Sequence, residues 1–188
     1  VGFTSIDLAS GPLWAAGNHV VKVPVSFRYS RYGGEHLSDT WQVAPTVRYS
    51  LDDFGLQATY SYDSEHYQDP LYSGNDNSLQ RVAVGPDFYL DDRKIAITAL
   101  ISYEDRQAES KTFSYKSPAL ELSCFTRLSE STELFLKYKR FRREYEAPAP
   151  LFSSDRVDDR DTLTLAYSYR FRDRYFGSFG YVYMKNES

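Results

Sequence analysis

The charged residues of this chain are sorted by position along strand-like segments rather than gathered into a motif. Lys22, Arg28, Arg48, Arg81, Lys137, Lys139 and Arg170, with Asp63, Asp87, Glu104, Glu121 and Glu133, fall where polar and apolar residues alternate one for one, always on the polar side. Interleaved acids and bases on one face of a sheet support two chemistries. They can pair across strands into a ladder that closes a small barrel, or they can line a water-filled pore of mixed charge.

Other chemistry finds little support. His19, His36 and His66 lie in or beside connections with no nucleophile elbow near them, so they are read as solvated loop histidines. The segment Ser64-Glu-His-Tyr-Gln-Asp-Pro70, with Asn75-Asp76-Asn77, is rich in oxygen ligands, but it lacks the spacing of a calcium loop and is read as a surface loop. The single cysteine, Cys124, excludes an intramolecular disulfide and sits on an apolar strand face. No enzymatic activity, cofactor or metal site is expected.

The elements that position the charged set are strands. In Arg160–Met184, Leu163, Leu165, Tyr167, Tyr169 and Phe171 fall on one face, with Thr162, Thr164, Ala166, Ser168 and Arg170 on the other. After a short polar turn at 172–174 the alternation resumes with Tyr175, Gly177, Phe179, Tyr181 and Tyr183. An aromatic-rich apolar face backed by small or charged residues is the pattern of a transmembrane β-hairpin, with lipid outside and a wet lumen inside. Similar runs recur along Val21–Ser30, Trp41–Leu51, Leu56–Asp63, Arg81–Leu90, Ile95–Glu104, Pro118–Phe125 and Glu133–Lys139. With a weaker strand at Val1–Leu8, about ten strands are visible.

Composition agrees with that reading. The chain has 188 residues, 41% hydrophobic, with 17 Tyr and 12 Phe. Its mean hydropathy of −0.54 excludes a helical membrane protein. Lys and Arg are scattered and the net charge is −4, so nucleic acid is not an expected partner. No signal-peptide pattern is read at the N-terminal end, and the start at Val1 is expected to be that of a mature or trimmed fragment.

Connections are read as alternating in length. Short turns at 52–55, 91–93, 129–131 and 172–174 alternate with longer polar segments at 32–38, 64–77, 105–112 and 147–159. Outer-membrane barrels have short periplasmic turns and long extracellular loops. With that polarity both chain ends fall on the extracellular side, so strands are expected to be missing from one or both ends. The expected fold is therefore an all-β antiparallel transmembrane barrel occupying 1–188 as one domain, part of a closed barrel of about 12 to 16 strands. Pro24, Pro45, Pro86 and Pro118 lie inside strands, where each removes a ladder donor and suggests a repeated bulge-like feature. Tyr29, Tyr49, Tyr62, Tyr103, Tyr138 and Tyr169 fit an aromatic girdle at the membrane interfaces.

At Val43-Ala-Pro-Thr-Val-Arg-Tyr49, Val84-Gly-Pro-Asp-Phe-Tyr-Leu90 and Ser117-Pro-Ala-Leu-Glu-Leu122, the chain resembles the C-terminal barrels of tetratricopeptide-repeat outer-membrane proteins. These are the surface lipoprotein assembly modifiers and the exopolysaccharide export porins. The resemblance implies an exit conduit whose partner selection lies in a separate periplasmic domain.

The function expected is a pore or export conduit in the bacterial outer membrane. A small closed barrel, structural or adhesive through its loops, is the alternative, and an outer-membrane lipase-like enzyme a more distant one. Expected partners are outer-membrane lipid and lipopolysaccharide, a periplasmic domain or partner, and an exported substrate.

Overall fold

The structure, a computed structural model, describes residues 3–148, 154, 156–171 and 175–187. It is antiparallel throughout: β1 (Phe3–Ser10), β2 (Leu13–Ala16), β3 (His19–Lys22), β4 (Val25–Tyr32), β5 (Glu35–Val43), β6 (Thr46–Ser50) and β7 (Phe54–Tyr67). After a 3-10 helix at Pro70–Asn75 follow β8 (Asn77–Leu90), β9 (Ile95–Ala108), β10 (Tyr115–Ser129), β11 (Thr132–Tyr145), β12 (Val157–Phe171) and β13 (Tyr175–Glu187).

These 13 strands form one sheet. β2, β3 and β6 prolong β1, β4 and β5 beyond a proline, so the strands lie side by side in the order β1-β4-β5-β7-β8-β9-β10-β11-β12-β13. That row matches the strand number read from the alternation. The interruptions have a common cause. Pro12, Pro24 and Pro45 have no N–H to donate, yet each carbonyl accepts from the next strand: Val23 N to Pro12 O, Ala44 N to Pro24 O and Tyr60 N to Pro45 O, all 3.0 Å. Pro86 and Pro118 interrupt one ladder each: Pro86 pairs with Leu56 on β7 but is skipped by β9, and Pro118 pairs with Tyr103 on β9 but is skipped by β11. Gly85 is needed beside Pro86 because any Cβ there would collide with the Ala99 carbonyl.

Several connections are shorter than the composition implied. The segment 9–18, whose Gly11, Pro12 and Gly17 suit a connection, contains the end of β1, all of β2 and a Gly17-Asn18 turn. The segment 32–38 is a two-residue turn, with Gly33 at φ 62° and Gly34 at φ 90° between the paired residues Tyr32 and Glu35. Positive φ at both central residues matches the right-handed twist of the flanking strands, and glycine tolerates it without strain. The segment 64–77 is strand as far as Tyr67, then 3-10 helix, and 105–112 is strand as far as Ala108. Polar residues on both faces resemble a loop in sequence, but strand pairing continues because backbone hydrogen bonds do not depend on side-chain polarity. The first of the four "long" connections is thus a tight turn; the loops at 68–76 and 109–114 remain longer ones, while most of the segment read as 147–159 lies outside the described residues, with β12 already begun at Val157. The turn at 91–94 has three consecutive residues at positive φ, Asp91, Asp92 and Arg93.

Burial is inverted relative to a protein folded in water. Asp87 is 1% exposed, Ser117 0% and Glu104 7%, while Ile101 is 63% and Phe179 66% exposed. On β7, Leu56, Ala58, Tyr60 and Tyr62 face out and Gln57, Thr59, Ser61 and Asp63 face the enclosed side. The enclosed polar face is the concave face of a curled sheet, and the apolar convex face suits hydrocarbon. At the two ends of the row, β1 pairs only with β4 and β13 only with β12 among the described residues, and no ladder joins β1 to β13.

Candidate functional site

The concave face carries most of the charged set, and its chemistry follows from strand spacing. A side chain on one strand reaches past its neighbour to the next but one when the intervening residue is small. Lys139 on β11 stands opposite Glu121 on β10, reaches diagonally past the small inward residues Ala119 and Ser117, and places Nζ 3.1 Å from Glu104 Oε1 on β9. Arg81 on β8 lies directly opposite Glu104, with Nε 3.7 Å from Oε1, and reaches over β9 to Glu121, 3.9 Å away. Glu104 is therefore held between Arg81 and Lys139, which offset the cost of burying its charge.

A second centre lies nearer the short turns. Asp87 on β8, its side chain 2% exposed, faces Arg48 on β6 at 3.1 Å. Thr98 donates to Asp87 Oδ1 at 2.5 Å and Gln57 at 3.5 Å, so three neighbouring strands converge on one carboxylate. Gln57 also accepts from Arg48 at 3.0 Å, which fixes the guanidinium in place.

The structure thus brings together Arg48 with Asp87, and Arg81, Glu104, Glu121 and Lys139. Arg28 is drawn instead to Asp7 on β1, at 2.5 Å, and Glu133 pairs with Arg127 at 3.9 Å. Glu133 and Arg170 line one shallow groove beside the turn at 130–131. Lys22 and Lys137 make no ion pair among the described residues. The six tyrosines are spread along the strands. Tyr49 and Tyr169 lie close to the short turns, against His19 (4.8 Å between ring centres) and Phe171 (4.5 Å). Tyr29 stacks on His36 at 4.4 Å toward the other end, Tyr62 and Tyr103 are exposed on the convex face, and Tyr138 donates to Asp161 at 2.6 Å.

The histidines and the acidic segment serve the strand ends. His36 Nε2 lies 3.0 Å from Asp39, and His66 Nδ1 contacts Asp76. Asp76 also accepts from the Tyr67 backbone N–H at 2.7 Å, which caps the end of β7. Among the described residues no three His, Cys, Asp or Glu side chains group as a metal site would require.

One group was invisible to the alternation. Tyr115, Phe141 and Tyr145 place aromatic rings on the concave face at the long-loop end, interleaved with Arg106, Arg143, Arg156 and Arg160. The signal was present in sequence: through 139–145 every second residue is Lys, Phe, Arg or Tyr in phase with the inward side of β11.

A family model described as a protein of unknown function, DUF2860, matches residues 66–178. The chain belongs to this family. No curated protein matches this DUF2860 chain. Among solved structures it is similar to OmpT, folded in vitro, an outer membrane protein of Vibrio cholerae. Sequence identity is 11%, the TM-score is 0.64, and the match covers 95% of this chain and 53% of that one, so the DUF2860 chain spans about half the length of that structure. The likeness is one of fold. The DUF2860 chain has the antiparallel sheet of an outer-membrane β-barrel, with an apolar convex face suited to that membrane.

Proposed function

We propose that this chain forms part of the wall of a water-filled conduit across the bacterial outer membrane. One observation carries the reading: the concave face buries ionic side chains from alternate strands while the convex face exposes aliphatic and aromatic ones. The short turns at 51–53, 91–94 and 130–131 face the periplasm and the longer connections face outward. The edges of β1 and β13, unpaired on one side among the described residues, expose backbone donors and acceptors that hydrocarbon cannot satisfy. Further strands therefore continue the sheet from both edges into a larger closed barrel, a reading supported by the half-length match to the solved neighbour. The resemblance to the barrels of tetratricopeptide-repeat proteins extends the role to export, with the exported substrate chosen by a separate periplasmic domain or partner. Lipopolysaccharide and phospholipid contact the convex face.

The test is single-channel recording of the full-length protein in planar bilayers. Resolved, long-lived openings are expected. Silence from correctly folded protein would sink the conduit and leave the structural or adhesive barrel, whose ion pairs serve closure alone.

A further inference from the structure

The arginine and aromatic group at the long-loop end of the concave face includes arginines that make no ion pair among the described residues. Arg143 is held between two rings, with its guanidinium carbon 4.5 Å from the centre of Tyr115 and 4.7 Å from that of Phe141. Arg160 lies 5.4 Å from the Phe141 ring, and Arg106 lies 6.0 Å from Tyr115. Lys139 and Arg156 share this region, but each has a carboxylate, Glu104 at 3.1 Å and Asp158 at 2.7 Å. Arg106, Arg143 and Arg160 have none among the described residues.

Stacking a guanidinium on an aromatic face uses its flat side and leaves its N–H groups pointing outward in the plane. Those donors form a fork that matches the oxygens of a phosphate or carboxylate. Arg143 Nε is such a donor, enclosed and with no hydrogen-bond partner. A buried charged donor left unpaired is costly, and the one acid directly opposite Arg143, Asp158 on β12, is engaged by Arg156 and Tyr145 instead. Rings at fixed positions also hold the long side chains in place, which lowers the entropy lost on binding.

We propose that Arg143, Arg160 and Arg106 form a binding site for the oxyanionic group, phosphate or carboxylate, of a solute entering the lumen. The inference rests on the conduit reading for the solute's route, though not for the binding itself. The rings on which the arginines stack add apolar surface for the organic part of such a solute. Arg140 and Arg142 lie on the opposite, exposed face of β11, where Arg142 pairs with Glu144 at 3.1 Å. They are placed to meet lipopolysaccharide phosphates and serve as the control.

Pyrophosphate is the probe, used with full-length protein folded in detergent and followed by isothermal titration calorimetry. Saturable binding is expected for wild type. Arg143→Gln and Arg160→Gln should each weaken it roughly tenfold or more, since each removes a charge-assisted hydrogen bond, while Arg142→Gln leaves it unchanged. In planar bilayers the same probe should block the wild-type current, with the block relieved in Arg143→Gln. Pyrophosphate binding with no conductance would keep the site and discard the conduit. Conductance without binding would keep the conduit and discard the site. Equal losses in Arg142→Gln and Arg143→Gln would replace the site with a nonspecific surface charge effect. Lipopolysaccharide binding that depends on Arg143 and not on Arg142 would overturn the assignment to a lumenal solute.

Discussion

Arg48 on β6 and Asp87 on β8 meet across the strand between them, Nε 3.1 Å from Oδ2, with Asp87 all but removed from solvent and Arg48 nearly half exposed. The pair is therefore asymmetric. Its acid is committed to the sheet, held also by Thr98 and Gln57, while its base remains partly wet.

Removing the base should cost more than removing both partners. Arg48→Met leaves a buried carboxylate without its cation and is expected to destabilise the folded barrel by about 3 kcal/mol, the low end for a buried pair because the arginine is half solvated. In Arg48→Met with Asp87→Leu the second change should restore part of the loss. Urea titrations of protein folded into lipid vesicles would measure the cycle, and simple additivity of the two single changes would mean that the pair does not couple.

The two faces should respond oppositely to charge. Leu165 pairs with Leu136 and Tyr181, all on the convex face, and Leu165→Arg should cost about 2 to 4 kcal/mol if it lies near the bilayer midplane. Its neighbour Thr164 sits on the concave face opposite Lys137, and Thr164→Arg should cost much less. Equal costs in the same folding titration would reverse or abolish the assignment of faces.

Alkaline pH should loosen the long-loop end through Tyr115. Burial, the largest influence, raises its hydroxyl above the ordinary value of 10.0, although nearby Arg143 pulls the other way. The folded state therefore resists forming the phenolate. Its contribution is complete below the unfolded value of about 10 and is lost as pH rises toward the folded one. Stability measured at about pH 8 and about pH 11 should fall less in Tyr115→Phe, which keeps the ring against Arg143 and removes the titrating proton. An identical fall in both proteins would remove Tyr115 as the cause.

How much of this was legible in sequence follows from what alternation encodes. The parity of Leu165 and Thr164, or of Tyr62 and Asp63, gives the face directly, because a strand's side chains repeat every two residues. Hence ten strand positions and the ionic side of the sheet were readable. Parity gives no strand ends once both faces turn polar, so Ser64–Tyr67 and Asp105–Ala108 read as loop although they are paired strand. Nor does it give partners. Glu104 meets Lys139 because small side chains on β10 leave room, and that requires the register, which no single strand contains. The aromatic residues of 139–145 escape a parity reading because they lie on the side where the alternation elsewhere puts polar groups.

The prolines have a mechanical consequence. Pro12, Pro24 and Pro45 each receive a bond from the next strand and offer no donor in return, so a line of one-way bonds crosses the first three strand positions. A sheet perforated in this way can crease along the line without breaking further hydrogen bonds. At β9 the line stops: its ladder with β8 is interrupted opposite Pro86, but its ladder with β10 runs unbroken from Arg106 to Ile95, and there the wall must bend as a single plate.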